Sequence, residues 1–325
     1  MSRLPEGNYA IILTPLTEDG ELDLKGLSAE LEYAVSRKAA GVVVLGSNGE
    51  GPYLTDQEKA VLVRHSAEAV KGRVALVAGC INVGTKSALE FSRMAKACGC
   101  DSVLATLHEY YQLDFAAVKR HYQSLAENAG LEITFYYVPD CSGLALKPEE
   151  IAELVSLPGV DSMKLSAINR EYMDQTFQLC RGKNCRMFIG TGLVLFEAMK
   201  MDALGSFCPL NLIAGDDLNS LFQLCQAKKW EPAFEIQEKV RRGGTGLLSG
   251  MEVDYELAKT GFMSVFNAAY SSVIHHGQPA YQLLKEALRL KGLPITNQVR
   301  LPFPRVTPQQ SEWIKKVLKD FGWLS

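Results

Sequence analysis

The chain has 325 residues, with 34 basic and 37 acidic side chains and a formal net charge of −3. No run of Lys or Arg is long enough to track a phosphate backbone, so nucleic acid is excluded as an expected partner. Hydrophobic residues make up 47% and charged residues 22%, which supplies a core and argues against disorder; no apolar stretch approaches the roughly 18 to 20 residues that span a bilayer.

Short apolar runs alternate with amphipathic stretches, the pattern of parallel strands joined by crossover helices. In chain order the runs are 9–15, 41–46, 74–80, 102–107, 133–139, 160–166, 186–191 and 205–209, with helical patterns such as 24–39, 56–70 and 86–98 between them. Thr55 followed by Glu58 fits a capping box, and Pro148 suits a first helical turn. Eight βα units in a row predict an α/β chain closed as a (β/α)₈ TIM barrel over residues 1–230, with an open doubly wound sheet as the alternative. Helical patterns at 232–242, 255–265 and 280–290, then a helix capped near Thr307, predict a helical C-terminal extension over 231–325. The start, MSRLPEGNYA, lacks the layout of a signal peptide, and the eight cysteines fall mostly in apolar segments without paired zinc spacing. A cytoplasmic protein without membrane contact, metal or cofactor is expected.

Barrel enzymes gather their catalytic groups where strands end and βα loops begin, so polar residues at strand tips are the informative ones. Lys164 lies in GVDSMKLS between Met163 and Leu165. Such a lysine ordinarily points to solvent or pairs with an acid. Turned into the barrel mouth instead, it would be desolvated, and desolvation frees an amine to attack a carbonyl. Tyr136 ends the strand one βα unit earlier, in ITFYYVPDCSG; Tyr136 and Tyr137 must face opposite ways, so at most one enters the barrel. A phenol beside an amine can shuttle protons during carbinolamine formation. The loop GSNGEGPYLT, between a strand and a capped helix, reads either as an anion site for a carboxylate or phosphate or as an ordinary tight turn. GSNGEG, the GTG at Gly190 and the GGTG at Gly243 lack the spacing of a dinucleotide fingerprint, and His108, His121, His275 and His276 lack metal spacing.

Together these segments resemble the dihydrodipicolinate synthase and N-acetylneuraminate lyase family of pyruvate-type class I aldolases. The resemblance runs over about residues 8–230 and includes ILTPLTEDGELD, the GSNGE loop, YYVPDCSGL, MKLS and the glycine turn at Gly190. It implies that Lys164 forms a Schiff base with a 2-oxo acid such as pyruvate, that Tyr136 transfers protons and that Ser47 is a relay hydroxyl. It implies that the backbone of Asn48 and Gly49 grips the substrate carboxylate, and that the Ser206 carbonyl faces the site. Tyr110 or Tyr111 matches a tyrosine shared across a dimer interface, and a homo-oligomer, a dimer or homotetramer, follows.

Cys141 stands where the biosynthetic synthase has an arginine for a second carboxylate, and a thiol cannot replace a guanidinium. Gly190, Thr191 and Gly192 carry no carboxylate for sugar hydroxyls, unlike the sialic acid lyases. The Ser-Asn-Gly-Glu loop most resembles 4-hydroxy-2-oxoglutarate aldolases and 2-keto-3-deoxy sugar acid aldolases. The expected function is a carbon-carbon lyase; the alternatives are a Schiff-base dehydratase or hydratase, the synthase itself, and a 2-oxo acid sensor.

Overall fold

The computed structural model describes residues 4–82, 84–108, 110–167, 169–252 and 279–324. The helical pattern at 255–265, and His275 and His276, lie outside the described residues.

Eight parallel strands close into a barrel in chain order. They are β1 (Gly7–Ile11), β2 (Gly41–Val44), β3 (Ala75–Asn82), β4 (Ser102–Leu107), β5 (Glu132–Tyr137), β6 (Val160–Leu165), β7 (Arg186–Ile189) and β8 (Gly205–Cys208). The helices are α1 (Leu24–Ser36), α2 (Asp56–Val70), α3 (Thr85–Ala97), α4 (Phe115–Asn128), the single turn α5 (Pro139–Ser142), α6 (Pro148–Leu154), α7 (Arg170–Cys180), α8 (Leu195–Lys200) and α9 (Gly215–Gln226). After them come α10 (Trp230–Ser249), α11 (Ala280–Leu290) and α12 (Pro308–Asp320). The caps behave as the side chains dictate: Thr55 and Glu58 exchange bonds at the start of α2, and Thr307 and Gln310 do so at α12. β1, β2 and β7 stop earlier than their apolar runs, because the residues beyond leave the ladder to form the loops of the mouth.

Alternation along the strands divides two cores. Tyr9, Ile11, Val43, Val77, Leu104, Tyr136, Phe188 and Phe207 belong to one cluster, the barrel interior, where Tyr9 stacks on Phe207 at 4.2 Å. Tyr137 belongs to the larger cluster between strands and helices. Of the two adjacent tyrosines, Tyr136 is therefore the inward one.

Helices α10 and α11 are bonded to loops at the carboxyl ends of the barrel strands, and α12 is bonded to α10. Gln237 of α10 accepts from the Phe196 N–H at 2.8 Å and donates to the carbonyls of Gly192 and Leu193 at 3.1 and 3.0 Å. Trp313 of α12 donates to the Gly246 carbonyl at 2.8 Å. Lys285 of α11 pairs with Glu50 in the loop after β2. Among the described residues no helix is long and apolar enough to cross a membrane.

Candidate active site

β5 and β6 place the lysine. The register sets Tyr136 beside Lys164, and Lys164 beside Phe188 of β7. Since Tyr136 and Phe188 face the interior, Lys164 does too. It is 3% exposed, and its Nζ lies 4.1 Å from the centroid of the Tyr136 ring. No ion pair of Lys164 is found among the described residues. Two thiols, Cys141 and Cys208, stand near enough to feel its charge; burial pushes both up and the lysine opposes this, so both stay neutral at ordinary pH. Among the described residues, the Lys164 amine meets a π face and no anion.

Lys164 and Tyr136 line a cavity of about 380 Å³, together with Ser47, Asn48, Cys141, Gly190 and Thr191. These expected site residues come from the ends of four strands, β2, β5, β6 and β7, and the connections that follow them. Ser47 and Asn48 open a one-turn 3₁₀ helix, Ser47–Gly49. The N–H groups of Gly49, Glu50 and Gly51 are consumed inside the loop, on the carbonyls of Gly46, Ser47 and Gly46 again. The glycine-rich loop is thus not a broad nest of free amides; its two leading residues are what it presents.

Gly49 does not line the cavity. Its carbonyl accepts the Thr14 hydroxyl at 2.5 Å, and a Cβ there would stand 2.8 Å from the Ile12 carbonyl, so glycine serves close packing at this position. Gly190 has a similar constraint, since a Cβ would fall 1.9 Å from the Ser166 hydroxyl. The side chain of Ser206 lies on the outward face of β8, where its hydroxyl donates to Asn8 at 2.8 Å. Tyr110 and Tyr111 are 91% and 78% exposed, edge to face with each other, and outside the cavity of this single chain.

Several lining groups were given no site role in the sequence reading. Thr106, His108 and Ser166 sit at strand tips, and the rule that drew attention to Lys164 would have found them. Tyr53 lies within the GSNGEGPYLT loop. Tyr281 and Phe303 reach the mouth from the C-terminal region, and nothing local in the sequence points there. Among the described residues no group of three or more His, Cys, Asp and Glu side chains is placed to hold a metal ion.

The model of the Dihydrodipicolinate synthetase family matches residues 5–253. A 4-hydroxy-tetrahydrodipicolinate synthase of Methanococcus maripaludis (strain C6 / ATCC BAA-1332) is 28% identical over 236 residues, which cover 72% of this chain and 80% of that one. The N-acetylneuraminate lyase from Fusobacterium nucleatum shares the fold with a TM-score of 0.82 at 22% identity, over 98% and 99% of the two chains. So does YagE, a prophage protein of the dihydrodipicolinic acid synthase family from E. coli K12 solved in complex with pyruvate, with a TM-score of 0.82 at 18% identity over 98% and 99%. With the barrel, the family match and the curated relative in agreement, the chain belongs to the dihydrodipicolinate synthetase family and is a lyase of the class I aldolase type.

Proposed function

We propose that the protein makes or breaks the C3–C4 bond of a 4-hydroxy-2-oxo acid, with pyruvate as the enamine component held on Lys164. 4-Hydroxy-2-oxoglutarate and the 2-keto-3-deoxy sugar acids both belong to this class and differ only in the group beyond C4. The observation that carries the reading is the buried Lys164 amine against Tyr136, without an ion pair among the described residues. A lysine kept only for structure would carry an anionic partner when this buried.

In the proposed reaction the amine adds to C2 and water leaves, giving an iminium ion that withdraws electrons from C3. The C4 hydroxyl loses its proton, the C3–C4 bond breaks and an aldehyde departs. The enamine then takes a proton at C3, and hydrolysis returns pyruvate and the free lysine. Tyr136 and Ser47 move the protons, while the Asn48 backbone and Thr191, in the turn after β7, hold the carboxylate end. Tyr110 and Tyr111, so exposed here, form part of a contact with a second copy of the chain. Eight free cysteines support a reducing compartment such as the cytoplasm.

A panel of 4-hydroxy-2-oxo acids, analysed for products, tests the reading. Release of pyruvate with an aldehyde is expected. A product that keeps the whole carbon chain and has lost water would assign the dehydratase reaction instead.

A further inference from the structure

The cavity changes character along its length. Around Lys164 it offers hydroxyls, thiols, an amide and the His108 imidazole. Its lining also includes Tyr53, Tyr281 and Phe303, brought to the mouth from the loop after β2, from α11 and from the segment before α12. Tyr53 meets Phe303 edge to face at 5.3 Å and 83°, and Tyr281 meets the same ring at 6.1 Å and 87°. Val138, Leu210 and Leu248 add aliphatic surface. Burial raises both phenols, with Glu50 adding to the effect, so they remain uncharged. Glu50 itself is fully buried and is already bonded to Lys285 and to the Arg300 N–H.

Among the described lining residues, Lys164 is the sole Lys, Arg, Asp or Glu. Its amine is consumed by the 2-oxo group in the reading above, on which this inference rests. A second carboxylate on the incoming aldehyde would lose its water at the mouth without gaining a Lys or Arg partner among the described lining residues, which is costly. A flat apolar body would exchange hydration for contact with three aromatic rings.

We propose that the mouth admits, as partner of the pyruvate enamine, an uncharged aldehyde with an aromatic or similarly flat apolar body. The enamine C3 bonds to the aldehyde carbon and the aldehyde oxygen takes a proton. Water then hydrolyses the iminium, releasing a 4-hydroxy-2-oxo acid with the flat group on C4 and restoring the lysine. No oxidant or reductant enters.

The test offers benzaldehyde, glyoxylate or glyceraldehyde with pyruvate to the full-length protein, with products followed by mass spectrometry and borohydride trapping of pyruvate run beside it. The expected kcat/KM for benzaldehyde exceeds that for either competitor by at least about tenfold. Phe303→Arg, which puts a cation at the mouth, should reverse the order of benzaldehyde and glyoxylate. A trapped adduct on Lys164 combined with preference for glyoxylate or glyceraldehyde would overturn this inference and leave the lysine chemistry standing. Absence of any adduct would overturn both.

Discussion

An amine attacks a carbonyl only after it gives up its proton, and an anion at its side would hold that proton in place. Lys164 lies in a strand, is turned inward by the alternation that buries Tyr136, and faces a phenol ring and two thiols that burial keeps neutral. The chemistry proposed for it needs that arrangement. Lys164→Ala should abolish pyruvate release from a 4-hydroxy-2-oxo acid. Tyr136→Phe keeps the ring beside the amine but removes the proton carrier, and kcat should fall by about 10²- to 10⁴-fold. Steady-state rates on the same substrate check both, and a Tyr136→Phe variant with wild-type kcat would remove that residue from the mechanism.

Between elements, the loop that presents Ser47 and Asn48 is tied to the C-terminal region by buried charge. Glu50 sits in the left-handed region at φ 56°, which costs a residue with a side chain about 1–2 kcal/mol. Its carboxylate pairs with Lys285 and accepts the Arg300 N–H at 2.8 Å, while Lys285 also donates to the Gln298 carbonyl at 2.8 Å. Lys285→Met would leave Glu50 buried and unpaired, and should lower unfolding free energy by about 3–5 kcal/mol. Adding Glu50→Gln should restore part of the loss, an interaction that urea unfolding of the two single variants and the double variant measures.

Glu30 of α1 completes this cluster. Desolvation pushes its carboxyl up to about 7 from the ordinary 4.5, against the Leu13 N–H bonded to it at 2.6 Å and the charge of Lys285. The folded value lies above the unfolded one, so the fold favours the protonated acid. That contribution is complete below about pH 4.5 and is lost as pH rises toward about 7, a change on the order of 3 kcal/mol. His121 acts in the opposite sense: desolvation pulls it down to about 4, and its contribution is lost as pH falls through the window below 6.5. The readout is therefore the difference between wild type and Glu30→Gln. Relative to the variant, wild type should lose stability between about pH 4.5 and 7; parallel curves would contradict the shift.

Across the molecule, the barrel was legible because its signals are periodic. Eight apolar runs map onto eight strands, the run at 102–107 residue for residue, and Thr55 and Thr307 cap helices as their spacing requires. Lys164 and Tyr136 were legible because a register of parallel strands one βα unit apart brings them together. The far side of the cavity was not. Tyr281 and Phe303 lie more than a hundred residues from the lysine in sequence and reach it only through tertiary packing of the extension, which carries no local pattern for a mouth. Gly49 is a different case: a glycine beside a site looks the same in sequence whether it frees an amide for substrate or makes room for a neighbouring carbonyl, and here the Ile12 carbonyl requires the room.

The central claim is that Lys164 is the nucleophile. Incubation with pyruvate and borohydride, followed by peptide mapping, tests it most directly. The account predicts one pyruvate-derived secondary amine per chain, on Lys164, and none in Lys164→Ala. An unmodified wild-type chain, or an adduct on another lysine, would contradict it.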